Sequence, residues 1–424
     1  MQHGGQGGRR RGVIAVAVVL AAVAVGVAGK AALDGPRPAA VEGASVDDGA
    51  GEPGVSPPTT GRPSDAGTWS PSSGVGAPYG ATVDGILTFR GNPTRTWYGS
   101  GPIAGKPSKD WRFPAAGKLC SLSSDPKGTR EWCGTGWTGQ PAVFERGGRT
   151  WLVVGAYDRA VHFLDAATGE RLLPDFPTGD LIKGSVTVDP DGYPLVYVGS
   201  RDGNYRVLSI DGSSAKELWR LRAGDVRPVL WNDDWDGSGL VLRDHLLVGG
   251  ENSHLHAVKL GRAYDAAGAV TVSPRLVWHA PGWDDELLRD LGDRNVSFEG
   301  SVAVSGDTLY AANSGGLVQG WDIGGLERGV APTRTFRFWS GDDTDASVVV
   351  DDEGMLYVAS EWERQLPRGE SVGQVVKLDP RRSDPVVWSF ADRTPRKGKT
   401  EKTAGVWATP AIDRDVVYVA TDGG

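Results

Sequence analysis

Thr138, Lys183, Asp236, Glu299, Asp345 and Trp407 each stand two or three residues ahead of a recurring short apolar strand. Repetition carries equivalent positions to one place, so the six would assemble three carboxylates, one ammonium and one indole. Clustered acids repel one another unless a cation, a cationic ligand or water lies among them. The acidic runs Asp233-Asp234, Asp284-Asp285-Glu286 and Asp342-Asp343 stand just before three of these positions. They would deepen the negative field and focus cations there. The expected ligand is Ca²⁺ or a basic partner segment, and the alternative is a hydrated rim that binds nothing.

Three weaker patterns lie nearby. Asn232-x-Asp234-x-Asp236-Gly237 resembles the opening of a calcium loop, with alternating oxygen ligands and a glycine at the bend. Arg243 occupies the twelfth position, where a closing acid belongs, so the loop is either a partial metal site or an acidic turn without metal. His254-x-His256 puts two imidazoles on one face of a strand, half of a zinc site, although exposed strand histidines are the expected reading. Gly134-x-Gly136-x-x-Gly139 matches a dinucleotide fingerprint but precedes Pro141 and a strand, where such a loop must open a helix. Serine-hydrolase elbow, zinc-protease and phosphate-loop motifs are missing.

The elements that must position these residues follow from repetition. First strands start at Gln140, Ser185, Ser238, Ser301, Ser347 and Thr409, and second strands follow in register at 151–155, 195–199, 245–249, 308–312, 355–359 and 416–420. Glycine is about 15% of the 424 residues, and turns such as Asp189-Pro190-Asp191-Gly192 and Asp352-Glu353-Gly354 suit tight hairpins. The pattern predicts an all-β chain, a β-propeller of four-stranded antiparallel blades, with a helix only near 284–291. Five blades read as complete and a sixth stops at Gly424, as in a truncated ring.

Third strands end in Asp before a turn and an apolar residue or Trp: Asp165 with Gly169 and Leu173, Asp211 with Trp219, Asp379 with Trp388. This resembles the tryptophan-docking repeat of PQQ-binding-like (quinoprotein-type) β-propellers, in rings of seven or eight blades. Leu87–Asn92 followed by Trp111-Arg112-Phe113 looks like the family's opening segment, which implies that it forms the outermost strand of the last blade. The resemblance covers about 85–424 and implies an exported, anchored protein of actinobacterial character. Quinoprotein dehydrogenases also use a vicinal cysteine pair, and Glu, Asn and Asp on Ca²⁺. Here no cysteines are adjacent, and Glu251-Asn252 is not identified with those ligands by spacing. A binding scaffold without catalytic residues is therefore expected, the alternative being a PQQ- and Ca²⁺-dependent dehydrogenase.

The basic residues 1–12, with Arg9-Arg10-Arg11, precede the apolar run 13–29, which reads as a membrane anchor or a cleaved export signal and places the rest outside. Residues 30–84, rich in Pro, Gly and Ser, read as a disordered spacer. In that oxidising setting Cys120 and Cys133 are expected to pair. The net charge of −8 lies wholly beyond residue 80, which argues against nucleic acid and leaves a protein or cell-envelope ligand as the expected partner.

Overall fold

A computed structural model describes residues 67–102, 105–125, 128–395 and 404–423. Of the two compact units, Met1–Arg62 and Pro63–Gly424, it therefore concerns the second. The expected anchor at 13–29 and most of the spacer lie outside the described residues. Among those described, no helix is long and apolar enough to cross a membrane.

Five antiparallel sheets follow one another, each built on four strands ordered as in the chain, and the first carries Gly85–Ile86 as a fifth strand. They comprise Ala142–Arg146, Arg149–Ala156, Ala160–Asp165 and Arg171–Pro177; Thr187–Val188, Leu195–Ser200, Asn204–Ser209 and Lys216–Arg222; and Leu240–Leu242, His245–Gly250, His254–Lys259 and Arg275–Pro281. The fourth holds Ala303–Ser305, Thr308–Ala311, Leu317–Asp322 and Thr333–Trp339, and the fifth Val349–Val350, Leu356–Ala359, Val375–Leu378 and Val386–Phe390. A hairpin, Ala411–Asp413 with Val416–Tyr418, comes after them. These sheets are the blades of a β-propeller. Second strands such as Leu195–Ser200 are buried on both faces, because each blade is packed between neighbours. Gly192 and Gly354 take φ of +89° and +77°, as their turns require.

Blade contacts are made by large side chains. Tyr205 and Trp235 meet with ring centroids 5.5 Å apart inside a cluster that also holds Val241, Leu246 and Val258. Trp111 docks on the turn that closes the first blade's third strand. Its Nε1 donates to Ala166 O at 3.0 Å, and a Cβ on Gly169 would stand 2.7 Å from its ring. The docking position is thus filled from upstream, whereas Trp388 remains 37% exposed.

The opening segment departs from expectation. Gly85–Ile86 pairs with Ala142–Arg146, the innermost strand of the first blade, and adds no outer strand to a last one. The chain then runs along the axis and touches blade after blade. Leu87 O accepts from Val188 N, Pro93 O from Val304 N and Thr94 O from Val350 N, at 2.7, 2.9 and 3.1 Å. Thr88 Oγ1 lies 2.9 Å from both Thr187 Oγ1 and Ser238 Oγ. Arg95, fully buried, donates to Val302 O, Ser238 O and Phe89 O. Inner strands leave backbone groups facing the axis, and this segment satisfies them. The spacer's boundary also moves, since Trp69 and Tyr79 are buried and the Tyr79 hydroxyl donates to Val241 O.

The expected helix spans Asp285–Leu291, capped by the Asp284 carboxylate accepting from Leu287 N. A second short helix, Pro367–Val372, was not foreseen. Cys120 and Cys133 are joined, as directly opposed residues of the hairpin Cys120–Asp125 with Gly128–Cys133.

Candidate functional site

The starts of the first strands interlock. Gln140 N donates to Ser185 Oγ, Ser238 N to Ser301 Oγ, Ser301 N to Ser347 Oγ and Ser347 N to Thr409 Oγ1, at 2.8 to 3.0 Å. Each hydroxyl fixes one blade to the next, so the residues just upstream gather at one mouth. Thr138 Oγ1 donates to Lys183 O at 3.0 Å. Cβ atoms built on Gly184 and Gly300 would stand 2.3 Å from Asp236 O and 2.9 Å from Asp345 O. Thr138, Lys183, Asp236, Glu299, Asp345 and Trp407 are all at this mouth.

A second set faces them. Continuing the antiparallel register of each first hairpin by four residues sets Thr138 opposite Tyr157, Lys183 opposite Arg201, Asp236 opposite Glu251, Glu299 opposite Ser314, and Asp345 opposite Glu361. The side chains follow that register. Ser314 Oγ donates to Glu299 Oε1 and to Asp345 Oδ1, both at 3.4 Å. Glu361 and Ser314 were missed in the sequence, although the hairpin register would have located both.

Two carboxylate triads result. Asp234, Asp236 and Glu251 surround the Lys183 ammonium, with Nζ at 2.9, 2.6 and 3.0 Å from their oxygens. Arg201 Nε lies 3.6 Å from Asp234. Burial and mutual repulsion push Asp234 up to about 6 and Asp236 well above its usual range, while the acids hold the Lys183 pKa high against burial. The candidate calcium loop is therefore engaged by an internal cation. Asn232 donates its amide to Glu251 Oε2 and accepts from Asp233 N.

Asp343, Asp345 and Glu361 form the second triad, their oxygens within 4.8 Å of one another, and among the described residues no lysine enters it. Arg364 Nη1 approaches Asp343 Oδ2 at 3.4 Å. Burial pushes Glu361 up to about 9, with repulsion from Asp343 and Glu363 added. Glu299, between the triads, is pushed up to about 8 by burial and by repulsion from Glu251. The Trp407 side chain hydrogen-bonds Glu361. Beside this triad a cavity of about 300 Å³ is lined by Trp137, Thr138, Ser301, Asp345 and Trp407.

The other sequence patterns resolve differently. Gly136 belongs to no phosphate loop, because a Cβ there would stand 1.7 Å from Lys183 O. His254 and His256 share a face as expected, but they are buried, not exposed, because Pro228, Trp235 and Trp283 cover that face. His254 Nε2 meets Pro228 O, and Asn252 Nδ2 donates to Ala223 O beside His256 Nε2. Burial takes His256 down to about 3. His279 is the cross-strand partner of His256, yet the ring nitrogens of the three do not converge.

The residues do not fit a PQQ and Ca²⁺ centre. Glu251 holds Lys183, the Asn252 amide is committed to Ala223 O, and Cys120 and Cys133 face each other across a hairpin, without being adjacent in the chain.

Among solved structures the chain is similar to BamB from Moraxella catarrhalis, at 16% identity, covering 66% of this chain and 81% of that one with a TM-score of 0.41. No family model and no curated protein matches it.

Proposed function

We propose that this protein is a non-catalytic binding propeller whose acidic mouth receives a cationic ligand or the basic segment of a protein partner. One observation carries the reading: Glu299, Asp343, Asp345 and Glu361 are gathered with no lysine among the described residues, beside a triad of the same chemistry that holds one. Acids buried together raise one another's proton affinity, so a bound cation replaces protons that the free site would otherwise hold. In this reading residues 13–29 keep the protein at the membrane, with the propeller on the outer side.

Calorimetry on the detergent-solubilised full chain tests the site, with CaCl₂ and an oligolysine peptide as probes. Binding that weakens with NaCl and in the Glu299→Gln/Asp345→Asn variant is expected. Neither probe binding, or equal affinity in that variant, would remove the mouth as the site. Dye reduction coupled to oxidation of an added alcohol or sugar, after reconstitution with PQQ and Ca²⁺, would instead identify a dehydrogenase. Protease added outside spheroplasts should cleave the propeller if the orientation is right.

A further inference from the structure

We infer that the second triad, with Trp137 and Trp407, is a socket for an alkylammonium group, namely the lysine side chain of a protein partner. The inference rests on the reading of the mouth as a cation site and names the cation.

The molecule supplies its own template. In the first triad two aspartates and a glutamate close on a lysine ammonium that enters from the neighbouring blade. The second triad repeats the composition, two aspartates and a glutamate, and the position, since Asp345 and Glu361 occupy the places of Asp236 and Glu251. No ammonium enters it among the described residues. Asp343 is only 5% exposed; its carboxylate meets Ser314 and Asp345 and faces Glu361, and among the described residues no donor sits on its Oδ1. A buried carboxylate oxygen without a donor is costly, and an ammonium offers three N–H donors.

The cavity beside the triad decides the kind of cation. Trp137 and Trp407 are 45% and 42% exposed, with ring centroids 6.4 Å apart and planes at 55°. Both indoles line the cavity, and Asp345 lines it with them. Ca²⁺ takes six to eight oxygen ligands, which indoles do not supply. A lysine side chain uses both surfaces: its methylenes pack on the indoles, its charge is attracted to their faces, and its N–H groups reach the carboxylates. At about 300 Å³ the cavity is of the size for one such side chain. Arg90 lines the same cavity, but its Nη2 donates to Thr409 O at 2.6 Å and its guanidinium lies over Tyr98, so it does not enter the triad. Arg364 remains the one counter-charge within 4 Å of the second triad among the described residues.

The test uses three probes on the detergent-solubilised full chain, followed by calorimetry and indole fluorescence: the acetylated, amidated tripeptide Ala-Lys-Ala, its norleucine analogue, and n-butylammonium chloride. The lysine peptide should bind and shift the fluorescence, and the norleucine peptide should not. Trp407→Leu and Trp137→Leu, both at exposed positions, should each weaken the lysine peptide roughly tenfold. Asp345→Asn should weaken it at least as much, with melting curves confirming that the variants fold. Butylammonium binding as tightly as the peptide would assign the socket to a free amine and overturn the lysine partner. CaCl₂ binding that displaces the peptide and is unchanged in Trp407→Leu would overturn the ammonium socket while leaving the cation-binding mouth intact. Binding of none of the three probes or of Ca²⁺ would end both readings.

Discussion

Lys183 Nζ and Asp236 Oδ2 lie 2.6 Å apart across the step from the second blade to the third. The contact ties two equivalent positions of the repeat together and is what distinguishes the filled half of the mouth from the open half. Lys183 is only 12% exposed and its three acidic partners less, so the pairing is an interior one.

Lys183→Met should therefore destabilise the protein by about 3–5 kcal/mol at pH 7.5, as for other buried charges that lose their partner. The stranded carboxylates can take up protons, so the loss should shrink on going to pH 5. Urea denaturation at the two pH values measures it, and an equal loss at both would contradict the assignment.

Glu299 and Glu361 set a pH dependence of defined sign. Their folded values, about 8 and about 9, lie above the ordinary 4.5. The folded state thus binds protons more tightly than the unfolded one. That contribution is complete below about pH 4.5 and is lost as pH rises through 8 and 9. The urea midpoint should fall between pH 6 and 9, and Glu361→Gln, a fixed mimic of the protonated acid, should flatten the fall. His256 acts at the other end: lowered to about 3, it contributes stability above pH 6.5 that is lost as pH falls.

Arg95 holds the axial segment to the fourth blade through two bonds to Val302 O, at 2.8 and 2.5 Å. Arg95→Met leaves that carbonyl and Phe89 O without their donor and should cost about 3 kcal/mol or more. Arg95→Lys should not restore the loss, because an ammonium cannot reproduce the planar fork. A midpoint shift under 1 kcal/mol would show that the axial segment is dispensable.

Gly136→Ala tests the close approach at the mouth. Its new Cβ would overlap Lys183 O at 1.7 Å, so the loop carrying Thr138 must move. A loss of about 1–3 kcal/mol is expected from the overpacking. Binding at the mouth should weaken with it, read by the same calorimetric titration.

What the sequence determined by itself was whatever depends on burial repeated along the chain. Alternating apolar residues between Gly- and Asp-rich turns defined the strands, and the serines at their starts marked which residues share a place. Thr138, Lys183, Asp236, Glu299, Asp345 and Trp407 were legible because equivalent blades carry equivalent positions to one mouth. Only the tertiary structure decided how those groups pair. Lys183 chose Asp236 and Glu251, 53 and 68 residues away in the chain, and among the described residues no ammonium meets Asp345 and Glu361. Local pattern carries no information about such distant partners. For the same reason the axial course of 87–95 was invisible: its backbone groups bond to several separate blades, and no periodicity records that. The burial of His254 and His256 also depended on Pro228, Trp235 and Trp283, outside their strand, since a strand's own alternation shows which side chains share a face but not what covers that face.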